Sequence, residues 1–142
     1  MSIQNHKVTW QKERQFLATS DSGHEVLLDG RGAADGPRQA ASPMEVVALG
    51  LGGCSSVDVV SILEKKKLAV SGCEVLVKTV RAESVPAVFT HIHLHFVITG
   101  KDIPEKAVER AVSLSADKYC SVSKMLEAGK VEITHDFEIV EG

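Results

Sequence analysis

Three cysteines carry the most reactive side chains in this 142-residue sequence: Cys54, Cys73 and Cys120. A thiolate is both a nucleophile and a metal ligand, and its surroundings set how readily it forms. Cys54 follows Gly52-Gly53 and precedes Ser55 and Ser56, while Cys120 precedes Ser121 and Ser123. Free N–H groups at a helix start stabilise thiolate, and Cys120 precedes such a start. Asp58 lies one helical turn beyond Cys54 on the same face, where a negative charge opposes thiolate formation. Each cysteine taken alone is also explained as a small buried apolar residue. Cys73 fits that description best, at the start of a strand with Val75 and Val77 on its face. Spacing alone does not bring Cys54 and Cys120 together.

The histidines offer a second chemistry. His91, His93 and His95 alternate, so they project from one face of one strand. Two such imidazoles can share a metal ion. Three spread over about 13 Å of strand, too far for one ion. Ile92, Leu94 and Phe96 on the other face read as core, which makes the histidine face a solvated polar one. His135 can join them only if the last strand is a neighbour.

The elements that must position these groups follow from pattern. Val8 and Trp10 share a face of a first strand, Phe16 to Thr19 forms a second and Glu25 to Leu28 a third, an antiparallel meander with short turns. Residues 29–42 read as an exposed loop near a site or a partner. Ser42-Pro43-Met44-Glu45 is a capping box with Pro at the first helical position. The helix it opens is expected to run to about Lys67. Gly50, Gly52 and Gly53 cost that helix roughly 2–3 kcal/mol of propensity, which predicts a close crossing by a second helix or subunit. Residues 73–83 and 88–99 predict a hairpin around Pro86. A helix follows from Ile103-Pro104-Glu105 to about Tyr119, then a short one from Ser121 to Ala128 with Gly129 as its C-cap. A strand over 131–140 closes the chain. The order is that of an α+β domain.

Composition excludes several roles. Hydrophobic residues make up 44% and aromatic residues only 4%, so the core is predicted to be Val, Leu, Ile and Ala. The formal charge is -3, from 16 basic and 19 acidic residues, which argues against a nucleic-acid binder. Lys65-Lys66-Lys67 sits where cations favour a helix end. The first residues lack the apolar region of a signal peptide. No run of about 18 apolar residues predicts a membrane span. A cytoplasmic home is expected, where three cysteines are not a disulfide framework.

The run from Ser42-Pro43-Met44-Glu45 through Gly52-Gly53-Cys54 to Asp58-Val59-Val60 resembles the central helix of the OsmC/Ohr family. Asp117-Lys118-Tyr119-Cys120-Ser121-Val122-Ser123 resembles that family's second cysteine motif, and His91 to Phe96 falls on a long strand of it. The likeness covers nearly the whole chain, residues 1–142, as a single OsmC-like domain. It implies an intertwined α+β homodimer with the central helices at the interface. It implies that Cys54 is a peroxidatic thiolate that becomes a sulfenic acid, and that Cys120 resolves it as a disulfide. A dithiol reductant then restores both thiols, with no metal and no organic cofactor. It further implies an acid and a cation as helpers, for which Glu45 and Arg14 are the candidates. The family's peroxidases place Glu directly after the helix-start Pro, where this chain has Met44. Glu45 comes one residue later, nine residues before Cys54, about 13 Å along a straight helix and on its opposite face. The Pro that often follows the second cysteine is here Ser121. These departures mark an outlying branch. A dimeric module that binds a small apolar ligand is the competing reading, and a dimer with no chemistry a third.

Overall fold

The computed structural model of the protein describes residues 2–142. The described residues form two compact units, 2–47 and 48–142. It is an α+β fold with a three-stranded sheet in each unit.

The first unit is the predicted meander. Strands β1 (Lys7–Lys12), β2 (Gln15–Thr19) and β3 (Glu25–Asp29) pair antiparallel in that order. Residues 29–42 are more than a loop. They contain a 3₁₀ turn, Ala33–Asp35, and an isolated parallel bridge that pairs Ala41 with Leu28. The buried Asp29 carboxylate ties the segment down. It accepts from the backbone N–H of Gln39 at 2.9 Å and Arg31 at 3.0 Å, and from the Arg31 guanidinium at 3.0 and 3.2 Å. These donors, the Gln39 N–H foremost, hold its pKa below the usual carboxylate range. Arg31 also bridges to Glu13 in the β1–β2 turn.

Helix α1 (Pro43–Lys65) opens with the predicted capping box: Ser42 N–H donates to Glu45 Oε1 at 2.8 Å, and Glu45 N–H to Ser42 Oγ at 3.2 Å. It ends two residues before the predicted limit. Lys67 takes a left-handed φ of 58°, which closes the helix as a glycine commonly does. Of its 23 residues, Leu51, Ser55, Val59 and Leu63 form a buried stripe at helical spacing. Leu49 and Val57, at 63% and 68% exposure, lie on the open side. α1 is also long and apolar enough to cross a membrane by length and composition, with a mean hydropathy of 1.9 over its most apolar window, 28% of which is buried.

The second unit's sheet has β4 (Ala69–Arg81), β5 (Phe89–Lys101) and β6 (Glu132–Glu141) in that order. β4 and β5 form the predicted hairpin, although β4 begins four residues earlier than expected. β6 lies parallel to β5, which requires a crossover. Helix α2 (Glu105–Leu114), a single π-helical turn (Ser115–Tyr119) and helix α3 (Ser121–Ala128) provide it. The expected continuous helix to Tyr119 is therefore interrupted. The Cys120 N–H reaches back five residues to the Ser115 carbonyl at 2.8 Å. Gly129 follows α3 with φ −85°, so the left-handed position passes to Lys130.

The core joins the inner face of β5 to the helices. Ile92, Leu94, Phe96 and Ile98 are buried on β5, and Ala107, Val108, Ala111 and Val112 on α2. Each large aliphatic or aromatic side chain so buried is worth about 1.5–3 kcal/mol. The glycines of α1 divide sharply. A Cβ on Gly52 would stand 2.9 Å from Val77 Cγ2 of β4, whereas Gly50 and Gly53 face open space. Within this chain the close approach is thus made by a strand, not by the predicted second helix, and at one glycine of the three.

Candidate functional site

Cys54 on α1 and Cys120 at the head of α3 come together. Their Sγ atoms and a carboxylate oxygen of Asp58 all lie within 4.8 Å of one another. All three cysteines are free thiols. Cys54 is half-buried and Cys120 fully buried, so one thiol is reachable and the other sits behind it.

Helix geometry supplies two sides of this cluster. Cys54 and Asp58 are one turn apart on α1, as their spacing predicts. Cys120 is the N-cap of α3, where its sulfur accepts the backbone N–H of Ser123 at 3.4 Å. Ser55 Oγ donates to the same sulfur, also at 3.4 Å. Burial pushes the Cys120 thiol up from its ordinary value, and the neighbouring Cys54 adds to the rise. The Ser55 and Ser123 donors work in the opposite direction. Burial thus favours the protonated thiol, and the two donors offset part of that preference.

The third side comes from the π-helical turn. Ser115, fully buried, donates its hydroxyl to Asp58 Oδ2 at 2.9 Å. This fixes one carboxylate oxygen and leaves the other free. The sequence pattern assigns Ser115 only to an apolar helix face. The signal for it is a hydroxyl five residues before Cys120, legible once the wider turn is known.

Two spaces adjoin the cluster. A small part-enclosed void of ≈10 Å³ is bordered by Ser55, Ser115, Ser123 and His135 together with the apolar Leu94, Phe96, Val112 and Ile133. An open cavity of ≈510 Å³ reaches Asp58 and is lined by Ile62, Lys65, Lys66, Leu114 and Tyr119. A further cavity of ≈720 Å³ belongs to the first unit, around Arg31, Arg38 and Glu45, and its lining has no thiol or imidazole.

Cys73 stays outside the cluster. It is half-buried on β4, opposite Ile98, and burial pushes its thiol up while the Ser56 hydroxyl partly offsets this. Glu45 and Arg14, the expected acid and cation, belong to the first unit, where both have local partners. Glu45 closes the capping box and lies 3.9 Å from Arg38. The Ser42 donors hold its carboxyl below the usual range. Arg14, exposed in the β1–β2 turn, donates to the Glu13 carbonyl at 3.0 Å.

The histidine face is solvated and paired with acids. His91 Nε2 lies 3.0 Å from Glu132, His93 Nε2 2.8 Å from Asp136, and His95 bridges Asp136 and Glu138 at 2.7 Å each. Asp136 and then Glu138 raise the His95 pKa, while His95 and His93 lower that of Asp136. β6 is the neighbour His135 needs, but the register sets His135 opposite Leu94 on the other face.

A family profile described as OsmC-like protein matches residues 35–136. The chain belongs to the OsmC-like family. Protein YhfA of Escherichia coli K12 is 50% identical over 134 residues, 94% of this chain and 96% of that one. Among solved structures, a hypothetical protein from Aquifex aeolicus VF5 is 29% identical with a TM-score of 0.86, covering 100% of this chain and 99% of its own. The organic hydroperoxide resistance protein OhrB of Bacillus subtilis shares the fold at 18% identity, with a TM-score of 0.62 and 96% and 98% of the two chains covered.

Proposed function

We propose that this OsmC-like protein reduces organic hydroperoxides through Cys54 and Cys120. The observation that carries the reading is the meeting of the two thiols within 4.8 Å, one half-exposed and one buried. The Cys54 thiolate attacks the O–O bond. The alcohol leaves, and Cys54 becomes a sulfenic acid. The Cys120 thiol, whose burial the Ser55 and Ser123 donors partly offset, then gives up its proton and attacks the Cys54 sulfur. Water leaves and a disulfide forms, which needs the sulfurs to close to about 2.05 Å. A dithiol reductant supplies two electrons and two protons to restore the pair. No metal or organic cofactor enters this cycle.

Cys54 is the peroxidatic residue and Cys120 the resolving one. Glu45 and Arg14 enter the reading as a helper acid and cation. The acting form is a homodimer, for which the apolar open side of α1 around Leu49 and Val57 offers an interface, with light scattering as its test. We place it in the cytoplasm, with a small hydroperoxide and a dithiol reductant as partners and neither nucleic acid nor membrane.

The test is thiol counting with peptide mapping before and after one equivalent of an organic hydroperoxide. A rapid Cys54–Cys120 disulfide with Cys73 untouched is expected. Slow, unselective oxidation would overturn the reading. A second reading, a dimer that binds a small apolar molecule, is favoured by Met44 at the position of the peroxidases' Glu and by the engagement of Glu45 in the helix cap.

A further inference from the structure

The same three side chains form a ligand set as well as a redox pair. Among the described residues, Cys54, Asp58 and Cys120 are the group whose donor atoms all lie within 4.8 Å of one another. The exposed histidines of β5 do not reach this closeness as a group, and their nitrogens already bond to the acids of β6. We propose that the reduced protein binds a thiophilic divalent cation of the zinc class through Cys54 Sγ, Cys120 Sγ and an oxygen of Asp58.

Four features fit. Two thiolates and one carboxylate are ligand types that zinc takes, and three protein ligands leave one tetrahedral position for an exogenous ligand. Metal–sulfur bonds of about 2.3 Å and metal–oxygen bonds of about 2.0–2.2 Å put the donors of such a site some 3.5–4 Å apart. Small side-chain movements therefore close the present cluster around an ion.

The outer shell is already in place. The Ser115 hydroxyl fixes one oxygen of Asp58 at 2.9 Å and leaves the second for the ion. Ser55 and the Ser123 N–H both point donors at the Cys120 sulfur. Such partners orient metal ligands and tune their basicity. Charge also balances. Binding releases the two thiol protons, and two thiolates with one carboxylate leave a single negative charge around a dication. Lys65 and Lys66, lining the cavity that reaches Asp58, offset that charge. The same cavity gives the ion its way in.

A carboxylate next to two thiols is unhelpful to a bare peroxidatic thiolate but natural in a metal site, because a bound cation inverts the local preference for protonated groups. The proposal does not depend on peroxide turnover.

The test is titration of the fully reduced chain with cobalt(II), a spectroscopic stand-in for zinc, followed by competition with zinc. We expect a sulfur-to-cobalt charge-transfer band that saturates at one equivalent and is displaced by zinc. Cys54→Ser should remove the band, and Asp58→Asn should weaken binding at least tenfold. Ser115→Ala should weaken it by about tenfold, the low end for an outer-shell partner, and Cys73→Ser should leave it unchanged. In wild-type protein, zinc should slow alkylation of Cys54 but not of Cys73, a readout that needs no variant. Absence of the band at one equivalent, its survival in Cys54→Ser, or an unchanged affinity in Asp58→Asn would overturn the site. No peroxide enters the experiment, so its outcome is separate from that of the hydroperoxide reading.

Discussion

The thiol cluster and the histidine ladder are built from similar materials and come to opposite ends. Each gathers titratable groups from separate elements to within bonding distance. The ladder stands on the open face of β5 and β6, where every imidazole has a carboxylate partner and water screens the pairs. The cluster lies against the buried stripe of α1, where Cys120 is shut off from solvent and Asp58 bonds to one serine. On the open face opposite charges meet and are satisfied. In the cluster three groups that would share negative charge are pressed together, with hydroxyl and amide donors but no salt-bridge partner among the described residues. Chemistry is expected at the second place, because a half-exposed thiol beside a second thiol is what a reactant or an ion can still engage.

The sharpest way to break this contrast is to remove its reactive member. Cys54→Ser is expected to abolish hydroperoxide consumption, whereas His93→Ala and His95→Ala should leave the rate near wild type. Cys120→Ser should allow a single fast turnover and trap Cys54 as sulfenic acid, detected by a sulfenate-specific reagent. Full activity in Cys54→Ser would reverse the assignment of the two regions.

Packing gives a smaller handle. Gly52→Ala sets a methyl 2.9 Å from Val77 Cγ2, and overpacking of this kind costs about 1–3 kcal/mol. Gly53→Ala meets nothing within the chain and should stabilise the isolated protomer by up to about 1 kcal/mol through helix propensity, whereas a dimer lost in light scattering would show that Gly53, between Leu49 and Val57, packs against the partner. Denaturant midpoints of the two variants should move in opposite directions, and only Gly52→Ala should slow disulfide formation. Ser115→Ala strips the part-exposed Asp58 of its donor and is expected to cost about 0.5–1.5 kcal/mol, the net worth of one hydrogen bond.

The smallest effect belongs to the ladder. A raised His95 pKa contributes stability that is fully present below the ordinary value of 6.5 and is lost as pH rises through the raised one. The lowered Asp136 pKa contributes stability present above its ordinary 3.8 and lost as pH falls through the lowered value. The wild-type melting temperature should therefore decline slightly from pH 6 to pH 8, and Asp136→Asn should flatten that decline. Thiol reactivity should not respond to this substitution.

Much of this was legible in the sequence where local physics decides. Alternation along residues 91–96 separated core from solvent, and Ile92, Leu94 and Phe96 are buried as read. The capping box at Ser42 and the N-cap position of Cys120 follow from local hydrogen bonding, and both are present. What the sequence hid depends on partners far along the chain. The parallel pairing of β6 with β5 leaves no mark on either strand's pattern. Neither does the meeting of Gly52 with Val77. Asp29 and Arg31 read as loop charges because their burial requires Gln39 and Glu13 to arrive from elsewhere. The family likeness supplied the pairing of Cys54 with Cys120, which spacing could not.

The π-helical turn has a consequence for how this pairing could be lost. It holds one residue more than a regular turn would between Ser115 and Cys120. Deleting that residue would let an ordinary helix close. The change would carry Cys120 about 100° around the axis and 1.5 Å along it, out of phase with Cys54 and Asp58. Both cysteines would still be present, and so would the helices on either side. The partnership of the two thiols is therefore a matter of counting, and a related chain could lose it through a single in-frame codon deletion that alters neither cysteine.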